Sequence, residues 1–222
     1  MIRIAISDII KEKCPELRIA TIECPVENSE FHPELWEEIN QLETSLRNQY
    51  KLEDINKIEN IRATRQAYKA LGKDPNRYRP SAEALCRRII RGISLYRINT
   101  LVDLINLISL KTGYSIGGFD ADLIQGDATL GVGQENEIFQ AIGRGLLNIE
   151  NLPVYRDREG GIGTPTSDEE RTKISLSTNR LLMIINAYSG PEGLEETVDY
   201  TKTLLTKYAF KGNNNNFHVN LY

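Results

Sequence analysis

The sequence predicts an α+β fold: a single domain whose first half is helical and packs on a mixed or antiparallel sheet formed mostly by the second half. Three observations predict it. Between residues 33 and 111 apolar side chains recur every three or four positions, the spacing of amphipathic helices. After Gly113 the texture changes to extended runs separated by glycine-rich turns. Leu181-Leu182-Met183-Ile184-Ile185 is apolar without alternation, as in a strand covered on both faces.

Taken in order, residues 2–10 and 17–22 are rich in Ile and Leu and read as strands joined by Lys11 to Pro15. Pro25 to Ser29 is a turn region. Leu35, Ile39, Leu42 and Leu46 share one face of a helix from Pro33 to Leu46. A second helix runs from Ile55 to Leu71, ended by Gly72 and Asp74-Pro75-Asn76. Ser81 suits an N-cap, with Leu85, Ile89 and Ile90 inward, and Gly92 stops that helix. Residues 100–111 form another, ended by Gly113. Runs 122–132, 152–155 and 180–188 read as extended. Gly190-Pro191 opens a last helix to about Phe210, with Pro191 near its first turn. Asn213 to Asn216 reads as a frayed, low-complexity tail.

Composition excludes several classes. With 222 residues, 40% hydrophobic and 26% charged, the chain can bury a core and is not of disordered type. No run approaches the roughly 20 apolar residues of a membrane span. Met1-Ile2-Arg3-Ile4 opens no secretory signal, so a cytoplasmic location is expected. Three cysteines, an odd number, disfavour a disulfide framework. Cys86, among apolar helix residues, reads as a core filler. His32 and His218 read as surface residues, and neither has partners at metal-ligand spacing, so no metal and no cofactor is expected.

The net charge of −4 hides an uneven distribution. Residues 61–100 hold 10 basic and 2 acidic side chains, a net of +8, while the segments on either side are each −6. This is a candidate polyanion footprint: eight of the ten are arginines, Arg79, Arg87, Arg88 and Arg91 among them as candidate phosphate ligands, and Tyr68, Tyr78 and Tyr96 are interleaved for stacking. The same segment also reads as a solvated helical face that pairs with the acidic flanks.

On the 100–111 helix, Asn99, Asp103 and Asn106 fall together, opposite Leu101, Leu104, Ile105 and Ile108. A narrow polar stripe on a buried helix either ties down neighbouring backbone or lines a pocket. Gly160-Gly161-Ile162-Gly163-Thr164-Pro165-Thr166-Ser167-Asp168 is either a connecting loop or a ligand cradle, with Thr164 and Thr166 as its donors. It is not a phosphate-binding P-loop, since no Gly-Lys-Ser/Thr follows.

Read as one string, Arg79-Pro80-Ser81, Leu85, Arg88, Gly92, Ile98-Asn99, Val102-Asp103, Asn106, Leu110, Gly113 and Phe119-Asp120 resemble the editing domain of the β subunit of bacterial phenylalanine–tRNA synthetase. The motif match covers residues 79–120 and extends plausibly to 185, within a single module over 1–222 in which 1–60 is an N-terminal extension or subdomain. The resemblance implies a pocket for a tyrosine wrongly attached to tRNA, with Asn106 in its wall. The family's histidine, two residues before Phe-Asp, falls on Gly117, and its pocket glutamate falls on Ile184. The implied substrate-binding set is Asn99, Asp103, Asn106, Gly117, Phe119, Asp120, Thr164 and Thr166.

The expected function is therefore a module that binds tRNA or other RNA at its aminoacylated end, with an amino acid or aminoacyl ester in the pocket and no membrane partner. Two alternatives stand beside it. One is a trans-acting deacylase of mischarged tRNA using Asp103, Asp120 or Thr166. The other is a metabolite-binding or scaffold protein on the same fold.

Overall fold

The computed structural model describes residues 1–211 and 216–222. Its elements run β1 (Ile4–Ile6), α1 (Asp8–Lys13), β2 (Arg18–Pro25), α2 (Pro33–Gln49), α3 (Glu59–Ala70), α4 (Ser81–Ile90), α5 (Thr100–Thr112), β3 (Ser115–Asp120), β4 (Ala128–Val132), β5 (Gln140–Ala141), β6 (Gly145–Leu146), β7 (Pro153–Arg156), β8 (Gly161–Gly163), β9 (Arg180–Ala187), α6 (Leu194–Tyr208) and β10 (His218–Leu221). One sheet has the order β10-β2-β9-β3 and is antiparallel throughout. A second has the order β1-β4-β7-β8, with β1 and β4 parallel. The α+β expectation is borne out.

β9 organises the core because its residues alternate between two apolar environments. Leu181, Met183 and Ile185 pack with Leu35, Ile39, Leu104 and Ile108 of the helices. Leu182 and Ile184 face the other way, onto Ile4, Leu130, Tyr155 and Ile162 of the second sheet. Both faces are dry, which is why this strand carries no polar alternation.

Several boundaries differ from the sequence reading. The strand expected over 2–10 is only Ile4–Ile6, and the chain then turns into α1. Ile10 is fully buried while Ile9 stays exposed. Asp8 stands in the first turn of α1 and Lys11 and Lys13 in the last, a charge order that suits a helix dipole. The helix expected over 55–71 is interrupted at Ile58 (φ −55°, ψ 127°), leaving a 3₁₀ turn over Ile55–Lys57 before α3. Ser81 is the first residue of α4, not its cap, and Pro80 precedes it. Pro191 lies outside α6, which starts at Leu194 after Gly193, a residue at φ +76°. Of the tail, residues 213–215 lie outside the described residues. Beyond them the chain forms β10 along β2 rather than fraying.

Candidate functional site

The polar stripe of α5 is divided by its surroundings. The Asn99 side chain accepts the Val102 N–H at 3.0 Å and caps α5. Asp103 is buried and accepts from Trp36 Nε1 at 2.7 Å and from the Ile98 N–H at 3.1 Å. Burial raises its pKa, and the two hydrogen bonds oppose that rise. Asn99 and Asp103 are thus spent on structure. Asn106 alone is left, half-buried, with its amide in no hydrogen bond among the described residues.

Asn106 lines a cavity of about 430 Å³ between the helices and the outer strand β3. Ser81 and Leu85 of α4 form one wall, Val102 and Ile105 of α5 another, and Ile116 and Gly118 of β3 a third. Ile142, between β5 and β6, and Ile174 complete an apolar lining. Gly118 leaves room here for two isoleucine tips. A Cβ at this position would lie 2.4 Å from Ile105 Cδ1 and 3.1 Å from Ile174 Cδ1.

Two charged residues line the cavity, Lys173 and Asp168. The Lys173 ammonium is held by Glu170. The Asp168 side chain accepts the Gly118 N–H at 3.2 Å through Oδ2, on the outer edge of β3, where Phe119 also bridges Lys173. A Cβ on Gly163 would lie 2.8 Å from Asp168 Oδ1, so this glycine makes space for the carboxyl, whereas one on Gly117 would be in ordinary contact at 3.5 Å. Its Oδ1 forms no hydrogen bond or ion pair among the described residues. Burial pushes the Asp168 pKa up to about 7, opposed only by the Gly118 hydrogen bond. Sequence reasoning missed this residue as a site residue, although it closes the Gly160–Asp168 loop and is the one carboxylate in it.

The other expected site residues are structural. Gly117 pairs with Ile184 across β3 and β9, and its neighbours Ile116 and Gly118 are the ones that line the cavity. The positions matching the family's histidine and glutamate are therefore adjacent to each other but on the face that packs against the second sheet. A Cβ on Gly117 would sit 2.8 Å from the Phe119 ring. Phe119 is buried in that inter-sheet core. Asp120 accepts from Thr178 Oγ1 at 2.8 Å and from the Asp122 N–H at 3.1 Å. Thr164 Oγ1 receives the Thr166 and Ser167 N–H groups, folding the loop on itself. Thr166 shares a 2.8 Å hydrogen bond with Tyr68. The loop is therefore a tight connection that delivers Asp168, not a set of free donors.

The basic segment is also divided. Glu83 is fully buried and binds both Arg65 (2.8 Å) and Arg87 (2.7 Å). Arg87 also donates to the Leu52 carbonyl. Arg88 donates to the Ser94 carbonyl at 2.8 Å and lies 3.9 Å over the Tyr96 ring. Lys73 is buried and donates to the carbonyls of Asn148 and Glu150. Arg79 and Arg91 are exposed and in no ion pair among the described residues. Of the interleaved tyrosines, Tyr68 is fully buried and Tyr78 packs under Lys73, while Tyr96 is 67% exposed. His32, expected at the surface, is half-buried, packed edge-on against Tyr208 with ring centroids 4.7 Å apart. Cys86 is a buried free thiol, pushed by burial to a pKa of about 12, as a core filler should be. Among the described residues no helix is long and apolar enough to cross a membrane.

Fold and cavity together define a class: an α+β domain with a mostly apolar cleft, holding one amide and one partly buried carboxyl, beside the outer strand of its antiparallel sheet. Within that class the assignment is specific, because residues 63–206 match the family described as the B3/4 domain, and the chain belongs to that family. The chain is 33% identical over 96 residues to the phenylalanine–tRNA ligase β subunits of Bartonella quintana and Bartonella henselae. The match covers 42% of this chain and 12% of each relative, so the chain spans a small part of those subunits. A crystal structure of an N-terminal fragment of the phenylalanyl-tRNA synthetase β subunit from Pyrococcus horikoshii aligns over 94% of this chain and 50% of its own, at 12% identity and a TM-score of 0.47. The resemblance read from residues 79–120 is borne out at the level of the family.

Proposed function

We propose that the chain is an RNA-binding module of the cytoplasm. It takes the end of a tRNA, or of another RNA, with an amino acid or aminoacyl ester entering the cavity beside Asn106. The reading calls for no metal, cofactor or membrane. One observation carries it: α4 serves two surfaces at once. Its first residue Ser81 and its Leu85 form a cavity wall, while exposed Arg79 and Arg91 flank its two ends. A polyanion that neutralises those arginines would thus lie beside the cleft, and Tyr96, stacked under Arg88, offers an exposed ring to a base. The named relatives are tRNA ligase subunits, which supports tRNA as the first RNA to test.

Filter binding of tRNA across a salt series tests the reading, because phosphate contacts make affinity fall with salt. Removing two phosphate contacts in an Arg79→Ala/Arg91→Ala variant is expected to flatten the log–log slope by about 1.4 to 1.8. Absence of binding at low salt, or an unchanged slope in the variant, would overturn it. Arg87 does not belong in this test, since Glu83 already holds it.

A further inference from the structure

We infer that the cavity recognises a primary ammonium carried on an apolar body, with the Asp168 carboxylate as the receptor for the charge. This deepens the proposed function by naming the chemistry of the group that enters, but it depends on the cavity alone and not on RNA.

A carboxylate offers about four lone-pair sites, and Asp168 uses one strong donor, the Gly118 N–H. Asp168 is partly buried, and a carboxyl that keeps an unpaired oxygen beside apolar walls is one that a cationic ligand can complete. Two glycines shape its seat: the missing side chain of Gly163 leaves room beside Oδ1, and Gly118 donates to Oδ2. No cation among the described residues fills the gap. Lys173, the other charged residue of the lining, is engaged by Glu170, and Glu169 is turned to the Arg171 N–H. On the α4 side, Arg87 and Arg88 are committed to Glu83 and to the Ser94 carbonyl.

The rest of the lining fixes the ligand's body. Leu85, Val102, Ile105, Ile116, Ile142 and Ile174 line the same cavity as Asp168 with branched aliphatic side chains. An anion would meet the carboxylate unfavourably, and a neutral polar molecule would lose its hydrogen bonds to these walls. An alkylammonium satisfies both: the charge pairs with Asp168 and the carbon skeleton is buried. Asn106 remains for an oxygen or nitrogen further along the ligand.

The probes are isoamylamine and isoamyl alcohol, which share a skeleton and differ in charge. Titration of the full chain with each, followed by amide NMR shifts at pH 8, is expected to show the amine binding at least about tenfold more tightly, the factor one charge-assisted hydrogen bond supplies. Lowering the pH from 8 to 6 protonates Asp168 while the amine stays charged. Amine affinity should then fall by about tenfold and alcohol affinity should not change. Asp168→Asn should abolish the preference for the amine. Because the pH series uses the unmodified chain, the inference stays open to test even if the variant folds poorly. Equal binding of the two probes, no binding of either, or an amine preference that survives at pH 6 or in Asp168→Asn would overturn it. RNA filter binding is unaffected by these outcomes, so failure of the amine site and failure of the RNA reading are separately visible.

Discussion

Replacing Asp168 by Asn should make the protein more stable, and increasingly so as the pH rises. The ordinary pKa of this side chain is 3.8, and burial raises it to about 7 in the folded chain. A raised carboxyl binds its proton more tightly when folded than when unfolded. The stability it contributes is fully present below 3.8 and is lost as pH climbs through about 7. At about 1.36 kcal/mol per pH unit, the gap corresponds to a loss of about 4 kcal/mol between pH 4 and pH 8. Asn is neutral throughout, nearly the same shape, and its amide oxygen still accepts the Gly118 N–H. The stability difference, variant minus parent, should therefore grow from near zero at pH 4 to as much as about 4 kcal/mol at pH 8. Urea unfolding of both proteins at several pH values measures it, with the slope m unchanged and the midpoint shifting. Taking the difference cancels every other titrating group, the two histidines included. A difference that is flat with pH, or a variant that is weaker at pH 8, would refute the view of Asp168 as a desolvated, incompletely partnered carboxyl.

Other expectations follow from the same geometry. Glu83→Gln strips the buried partner from Arg65 and Arg87 and should cost about 3 to 5 kcal/mol in urea unfolding, far beyond a surface ion pair. Tyr68→Phe leaves the Thr166 hydroxyl without its partner and should cost about 1 to 3 kcal/mol. Gly118→Ala pushes the tips of Ile105 and Ile174 into the cavity; it should cost about 1 to 3 kcal/mol and weaken isoamylamine binding. Gly133→Ala places a Cβ 1.8 Å from the Ile149 carbonyl oxygen, which is backbone and cannot yield, so soluble expression or thermal unfolding should show a loss beyond about 4 kcal/mol. Asn106→Ala, by contrast, removes a side chain with no partner in the fold and should leave stability within about 0.5 kcal/mol while changing ligand selectivity.

Much of the fold was legible because it is written locally. The period of Leu35, Ile39 and Leu46 gave α2, and Gly113, in the left-handed region at φ +76°, ended α5 where expected. The unbroken apolar run of β9 announced a strand with no wet face. What misled was also local. Two isoleucines next to each other at residues 9 and 10 suggested a longer first strand, but the charges around them favoured a helical turn. The proline at 191 suggested a helix start, but the chain makes a turn first and α6 begins after Gly193.

The sequence by itself determined that a polar stripe rides on a buried helix, that one segment concentrates positive charge, and that the central strand is apolar on both faces. Those are properties of spacing and composition. Only the tertiary structure decided which of these groups are free to act. Asp103 is claimed by Trp36, 67 residues away, and Thr166 by Tyr68, 98 residues away. Glu83 takes Arg65 and Arg87 out of the basic surface and leaves Arg79 and Arg91 on it. Asp168 is left with one hydrogen bond because glycines from β3 and β8 meet around it. Desolvation and hydrogen-bond satisfaction depend on neighbours in space, and a single chain read in order does not contain them until it is folded.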